Sequence, residues 1–138
     1  MTSAADLQSF AETTRRALEP GLDRDVDGRV ISAGSCLYAS ILLAETLGRF
    51  NLARSVIRGG SGARGQGARD VDGRWHGHYW IEAMTAAGEH VVIDITADQF
   101  GHAPVRVLPI AQAHDYCPGE QSEVDASVAA VRADLGLG

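Results

Sequence analysis

Lysine is missing altogether: all twelve basic residues are arginine, set against 18 Asp and Glu for a formal net charge of -6. So acidic a chain is a poor match for nucleic acid, whose phosphates bind dense positive surfaces. Cysteine is scarce as well. Two residues are too few for a disulfide scaffold, so at least one is read as a thiol with a chemical role, with a Cys36–Cys117 bridge as the alternative. No run approaches the roughly 18 to 20 apolar residues that a membrane-spanning helix needs. The opening residues, MTSAADLQSFAETTRR, have neither a basic start nor an apolar core. The expectation is a soluble, cytoplasmic protein that engages neither membrane nor nucleic acid.

What is present suffices for one domain spanning residues 1–138. At this length a chain buries roughly two-thirds of the surface it exposes when unfolded, enough for a core that carries a cleft. Hydrophobic residues at 45% and charged residues at 22% match a globular protein and not a disordered one. Charge is uneven: Arg49, Arg54, Arg58, Arg64, Arg69 and Arg74 meet only Asp70 and Asp72 within residues 49–74, leaving +4 there and -10 elsewhere. A locally basic region would attract an acidic peptide; the plainer reading is a solvated arginine loop.

Ser3 with Asp6 marks a helix start, and Leu7, Phe10, Ala11, Thr14 and Leu18 recur on one face, predicting a helix over about 3–19 that Pro20-Gly21 ends. After a turn-rich stretch, Leu37, Ile41, Leu42, Ala44 and Leu47 predict a mostly buried helix that stops at Gly48. Leu52–Ile57 reads as a strand, and residues 59–67, GGSGARGQG, as too glycine-rich for regular structure. Trp75–Ala83 and Val91–Ile95 read as antiparallel partners across an Ala87-Gly88 turn, with Val105–Ile110 as an edge strand. Ser122 with Asp125 opens a last helix, about 122–135, whose Val124, Val128, Val131 and Leu135 share a face. This order predicts an α+β fold with helices against an antiparallel sheet. The tetrapeptide DVDG occurs at 25–28 and 70–73, a repeated turn and not a repeat architecture.

Three residues carry the chemistry. Ser32-Ala-Gly-Ser35-Cys36 places the cysteine where a serine-capped turn enters a helix, among unpaired N–H groups that favour a thiolate. In His78-Tyr-Trp80-Ile-Glu82, alternation sends His78, Trp80 and Glu82 to one face. Asp94 is a lone acid inside VVIDI, where burial is costly unless the carboxylate is paired. A hairpin turn centred on Ala86 sets His78 directly opposite Asp94. The roles then follow: Cys36 attacks, His78 takes and returns its proton, and Asp94 orients the imidazole.

The elements GSC at a helix start, HYWIE on a strand and IDIT on the next resemble the Cys, His-x-Trp-x-Glu and Asp-x-Thr elements of the transglutaminase-like superfamily, over roughly residues 32–100. The resemblance implies a papain-like core with the cysteine helix packed on an antiparallel sheet that carries the histidine and aspartate. Small bacterial and phage members, including leader peptidases of lasso-peptide pathways, are similar in length. Val30 stands where papain-type proteases have an oxyanion-stabilising Gln six residues before the cysteine, so the oxyanion donor is open. The backbone N–H of Cys36 is the first choice, with Ser35, Trp80 and Gln99 as further substrate or oxyanion candidates.

The expected function is a thiol hydrolase, a cysteine peptidase or amidase working through an acyl-enzyme on a peptide or protein substrate. Glutamine deamidation or acyl transfer to an amine needs the same triad. A binding or regulatory module on this fold is the reading of another class. No cofactor is implied. Gly60–Gly65 satisfies G-x-G-x-x-G, but turn residues follow where a nucleotide fold requires a helix; a mobile loop near the active site is the preferred reading. Asp23-Arg-Asp25-Val-Asp27-Gly28 resembles half a calcium loop yet has Gly34 at the twelfth position. His76 and His78 form an H-x-H pair that His90, His102, Cys117 or Asp94 would have to complete as a metal site. Cys117 is read as structural.

Overall fold

A computed structural model describes residues 2–137. Its elements are helices α1 (Ala4–Leu18), α2 (Cys36–Arg49) and α3 (Gln121–Asp134), and strands β1 (Asp23–Arg24), β2 (Val30–Ile31), β3 (Arg54–Ser61), β4 (Gly67–Arg69), β5 (Trp75–Met84), β6 (His90–Asp94), β7 (Arg106–Pro109) and β8 (Tyr116–Cys117). The six-stranded sheet runs β7-β6-β5-β4-β8, with β3 also paired to β5, and every pairing is antiparallel. The fold is α+β, as the element order predicted.

The two faces of the sheet bury different things. Odd-numbered residues, Ile81 and Ala83 of β5 with Val91 and Ile93 of β6, join Ile57 and the apolar faces of all three helices in the main core. Even-numbered residues, Trp80 and Val92, pack with Ala68, Ala113 and Tyr116 in a second, smaller core on the other face. One strand alternation thus serves two cores, as expected of a sheet covered on both sides.

α1 begins at the expected capping box, Asp6 N–H to Ser3 Oγ and Ser3 N–H back to the Asp6 carboxylate. α2 does not stop at Gly48. It runs on to Arg49 and closes with Leu52 N–H on Leu47 O and Asn51 N–H on Gly48 O, Asn51 taking the left-handed position at φ 53. Asparagine fills here the role that glycine more often has. α3 starts one residue before Ser122, at Gln121, and Ser122 is not its cap.

The glycine-rich stretch is more regular than composition suggested. Gly59, Gly60 and Ser61 belong to β3, and the first two are glycine where a side chain would collide: a Cβ on Gly59 would lie 2.7 Å from the Tyr79 ring, and one on Gly60 2.3 Å from Gly67 N. Glycine marks close backbone approach here and not looseness. β4 follows the G-x-G-x-x-G pattern, so no helix stands where a dinucleotide fold needs one. Both DVDG segments form the same turn: Asp25 Oδ1 accepts from Asp27 N and Arg29 N, each at 2.9 Å, and Asp70 Oδ1 from Asp72 N and Arg74 N, each at 2.9 Å.

Candidate functional site

The β5–β6 hairpin closes through a three-residue loop, with Thr85 N–H bonded to Glu89 O and Gly88 in the left-handed region at φ 85. Its centre is therefore Ala87, one residue later than the turn signal predicted, and each pairing moves by two: Ile81 faces Ile93 and Glu82 faces Val92. His78 and Asp94 are not directly opposite. They are diagonal neighbours on the same face, and the imidazole spans the offset to place Nε2 2.8 Å from Asp94 Oδ2. A slip of two preserves the face; a slip of one would have put the pair on opposite sides of the sheet.

The pair is sealed, with side chains 0% and 1% exposed for His78 and Asp94. Tyr116 Oη donates to the same Oδ2 at 2.8 Å, and Thr96 N–H donates to Oδ1 at 3.0 Å. Burial opposes ionisation of Asp94, yet His78, the Thr96 amide and Tyr116 together hold its pKa below the usual carboxylate value. Burial would likewise depress His78, but Asp94 and, behind it, Cys36 raise the imidazole to about 9. Tyr116 is pushed upward by burial and by the Asp94 charge, so it remains a donor.

Cys36 is the first residue of α2 and is partly exposed. It lies close enough to His78 to contribute to the raised imidazole pKa, and with Nε2 committed to Asp94 the ring nitrogen left to it is Nδ1. Gln99 borders the same nitrogen: its Nε2 stands 3.4 Å from Nδ1 while donating to Thr96 O at 3.1 Å. Phe100 meets the ring edge-on at 4.8 Å. The sequence-predicted Cys36, His78, Asp94 and Gln99 are thus brought together.

Two other candidates are not where they were expected. Trp80 is 1% exposed, packed against Tyr116 in the second core with its Nε1 unpartnered, so it lines no open cleft. Ser35 makes no side-chain cap; its hydroxyl donates to Ser32 O at 2.5 Å, which fixes the turn before Cys36 but leaves the helix N–H groups unclaimed by it.

The H-x-H histidines part company: His76 Nε2 bonds Asp70 Oδ2 at 2.7 Å, an interaction that, with the Arg74 and Asp72 amides, lowers Asp70 to about 2. Among the described residues no group of three or more His, Cys, Asp or Glu is gathered in a way that could hold a metal. Both cysteines are free thiols. The basic stretch is partly neutralised from outside itself, by Arg58 with Glu82 at 3.5 Å and Arg69 with Asp115 at 3.1 Å. Among the described residues no helix is long and apolar enough to cross a membrane.

Sequence reasoning missed Tyr116, Arg15 and Asp98. For Tyr116, in DYCPGE, no periodicity points inward. Arg15 did carry a signal, since it falls four residues after Ala11 and eight after Leu7 on the buried stripe of α1. Neither family models, curated proteins nor solved structures gave a match to this chain.

Proposed function

We propose that this protein is a thiol hydrolase that cleaves a peptide or amide bond through an acyl-enzyme on Cys36. The observation that carries the reading is the sealed His78–Asp94 pair, with a partly exposed cysteine at a helix start close to its imidazole. A buried imidazole raised to about 9 holds a proton at neutral pH, so it can act as the acid that a departing amine needs. The proton at His78 Nδ1 is the one that Cys36 gives up, so the sulfur attacks the carbonyl carbon as a thiolate, that proton passes to the leaving nitrogen, and the C–N bond breaks to leave a thioester. Water, giving a proton to the now neutral His78, then attacks the thioester, and C–S cleavage releases the acid and restores the Cys36 thiolate beside a protonated His78.

The oxyanion would be met by the N–H of Cys36, at the start of α2, with the Gln99 amide on the same side of the imidazole. Asp94 and Tyr116 touch no substrate and act by positioning. The resemblance of GSC, HYWIE and IDIT to the transglutaminase-like superfamily supports the same reading, including a papain-like arrangement of the cysteine helix on the sheet.

The test is alkylation by iodoacetamide followed by peptide mapping, with Cys117 as internal reference. Cys36 should react faster than Cys117 near neutral pH, and His78→Ala should slow Cys36 alone by about tenfold or more. Incubation with an activated ester should leave a hydroxylamine-sensitive acyl group on Cys36. Equal labelling of Cys36 with and without His78, and no acyl adduct, would overturn the reading in favour of a binding module.

A further inference from the structure

Arg15 is an anomaly on α1: an arginine 3% exposed, on a face otherwise made of Leu7, Ala11, Thr14 and Leu18. Its guanidinium grips Asp98 with two parallel bonds, Nη1 to Oδ1 at 2.8 Å and Nη2 to Oδ2 at 2.9 Å. Nη1 also donates to Ile95 O at 2.7 Å, and Nε to Glu19 Oε1 at 3.1 Å. Asp98 in turn accepts from Ser32 Oγ at 2.7 Å, and Ser32 is itself 3% exposed.

All of these contacts except that to Glu19 fall beside a residue of the site. Ile95 follows Asp94. Asp98 precedes Gln99. Ser32 opens the turn whose carbonyl takes the Ser35 hydroxyl and N–H, immediately before Cys36. The cysteine turn and the 94–99 segment come from distant parts of the chain, and this network spans them with side-chain hydrogen bonds.

We infer that Arg15 is a positioning residue for the Cys36 site, acting through Asp98 and Ser32 to hold the cysteine turn in register with the segment that carries Asp94 and Gln99. The inference rests on the thiol reading above. Stability alone is a weak account of the network, since buried ion pairs are often replaceable by apolar packing without loss. A planar fork that binds a carboxylate and a carbonyl together instead fixes direction, and lysine cannot reproduce it. Displacements of about 1 Å in such frames can cost up to about a hundredfold in rate.

The experiment measures Cys36 alkylation against pH, by peptide mapping, in the wild type and in His78→Ala, Arg15→Lys, Arg15→Met and Ser32→Ala, with thermal unfolding alongside. Ser32→Ala removes one hydroxyl and serves if the Arg15 variants do not fold. The expected result is a drop of about tenfold in Cys36 reactivity for both Arg15 variants and several-fold for Ser32→Ala. The pH profile should move toward that of His78→Ala, and Arg15→Lys should give no rescue although it keeps the charge. If wild-type labelling depends on His78 while Arg15→Lys and Ser32→Ala keep the wild-type rate and profile, the positioning role is overturned. If wild-type labelling does not depend on His78, it is the thiol reading that fails.

Discussion

Replacing Asp94 by Asn should convert a pH-dependent stability into a nearly flat one. The exchange keeps the volume and an oxygen to receive Tyr116 and removes the charge that His78 faces in a sealed site. In the wild type the folded imidazole is raised from 6.5 to about 9. A group raised on folding contributes stability that is complete below its unfolded pKa and is lost as pH climbs through the folded one. Wild-type stability should therefore fall between pH 6.5 and 9 by about 3 kcal/mol, with a slope no steeper than about 1.4 kcal/mol per unit. With Asn at 94 the countercharge is gone and only the smaller effect of Cys36 opposes burial at His78, so most of that slope disappears. The variant should be less stable by roughly 3 to 5 kcal/mol near pH 6, a gap that narrows as pH rises. Urea unfolding of both proteins from pH 6 to 9.5 at constant ionic strength reads this directly, because groups that titrate alike in both cancel in the difference. Parallel curves across that window would refute the reasoning, for they would mean that Asp94 does not hold the His78 proton.

Other expectations are simpler. Tyr116→Phe removes a hydrogen bond to a buried carboxylate and should cost about 1.5 to 3 kcal/mol in denaturant unfolding; a change under about 0.5 would mean the Oη–Asp94 contact contributes little. Gly48→Ala should stabilise by about 0.5 to 1 kcal/mol, since Gly48 lies inside α2 with open space around it, whereas a loss would show that Gly48 is the helix stop. Gly60→Ala should cost more than about 3 kcal/mol or prevent folding, because its Cβ would sit 2.3 Å from Gly67 N, while Gly73→Ala, in open space at φ 87, should cost only about 1 to 2 kcal/mol. Comparable values for the two would undermine the close approach of Gly60 in β3 to Gly67 at the start of β4.

Much of the site was legible because its signals are local. A carboxylate within VVIDI needs a partner wherever that strand goes, and alternation assigned His78 to the same face without knowledge of the turn. What alternation could not supply was register: the predicted facing pair became a diagonal one because the loop, with Gly88 in the left-handed region, centres on Ala87 and not Ala86, which shifts each pairing by two. Trp80 was misplaced for a related reason. The pattern located it on the His78 face, but only the packing of Tyr116 and Ala68 over that face turned it from a substrate or oxyanion candidate into core.

By itself, then, the sequence determined the α+β class, the spans of α1 and α3 to within a residue or two, and the grouping of His78 with Asp94, all of which follow from periodicity and from the cost of burying charge. The tertiary structure decided what joins distant segments: Cys36 beside the imidazole, Tyr116 on the Asp94 carboxylate, and Arg15 reaching from the first helix to Asp98. Those contacts lie outside any local pattern because hydrogen bonds between side chains 22 and 83 residues apart leave no period in the chain, only donors and acceptors that burial obliges to meet.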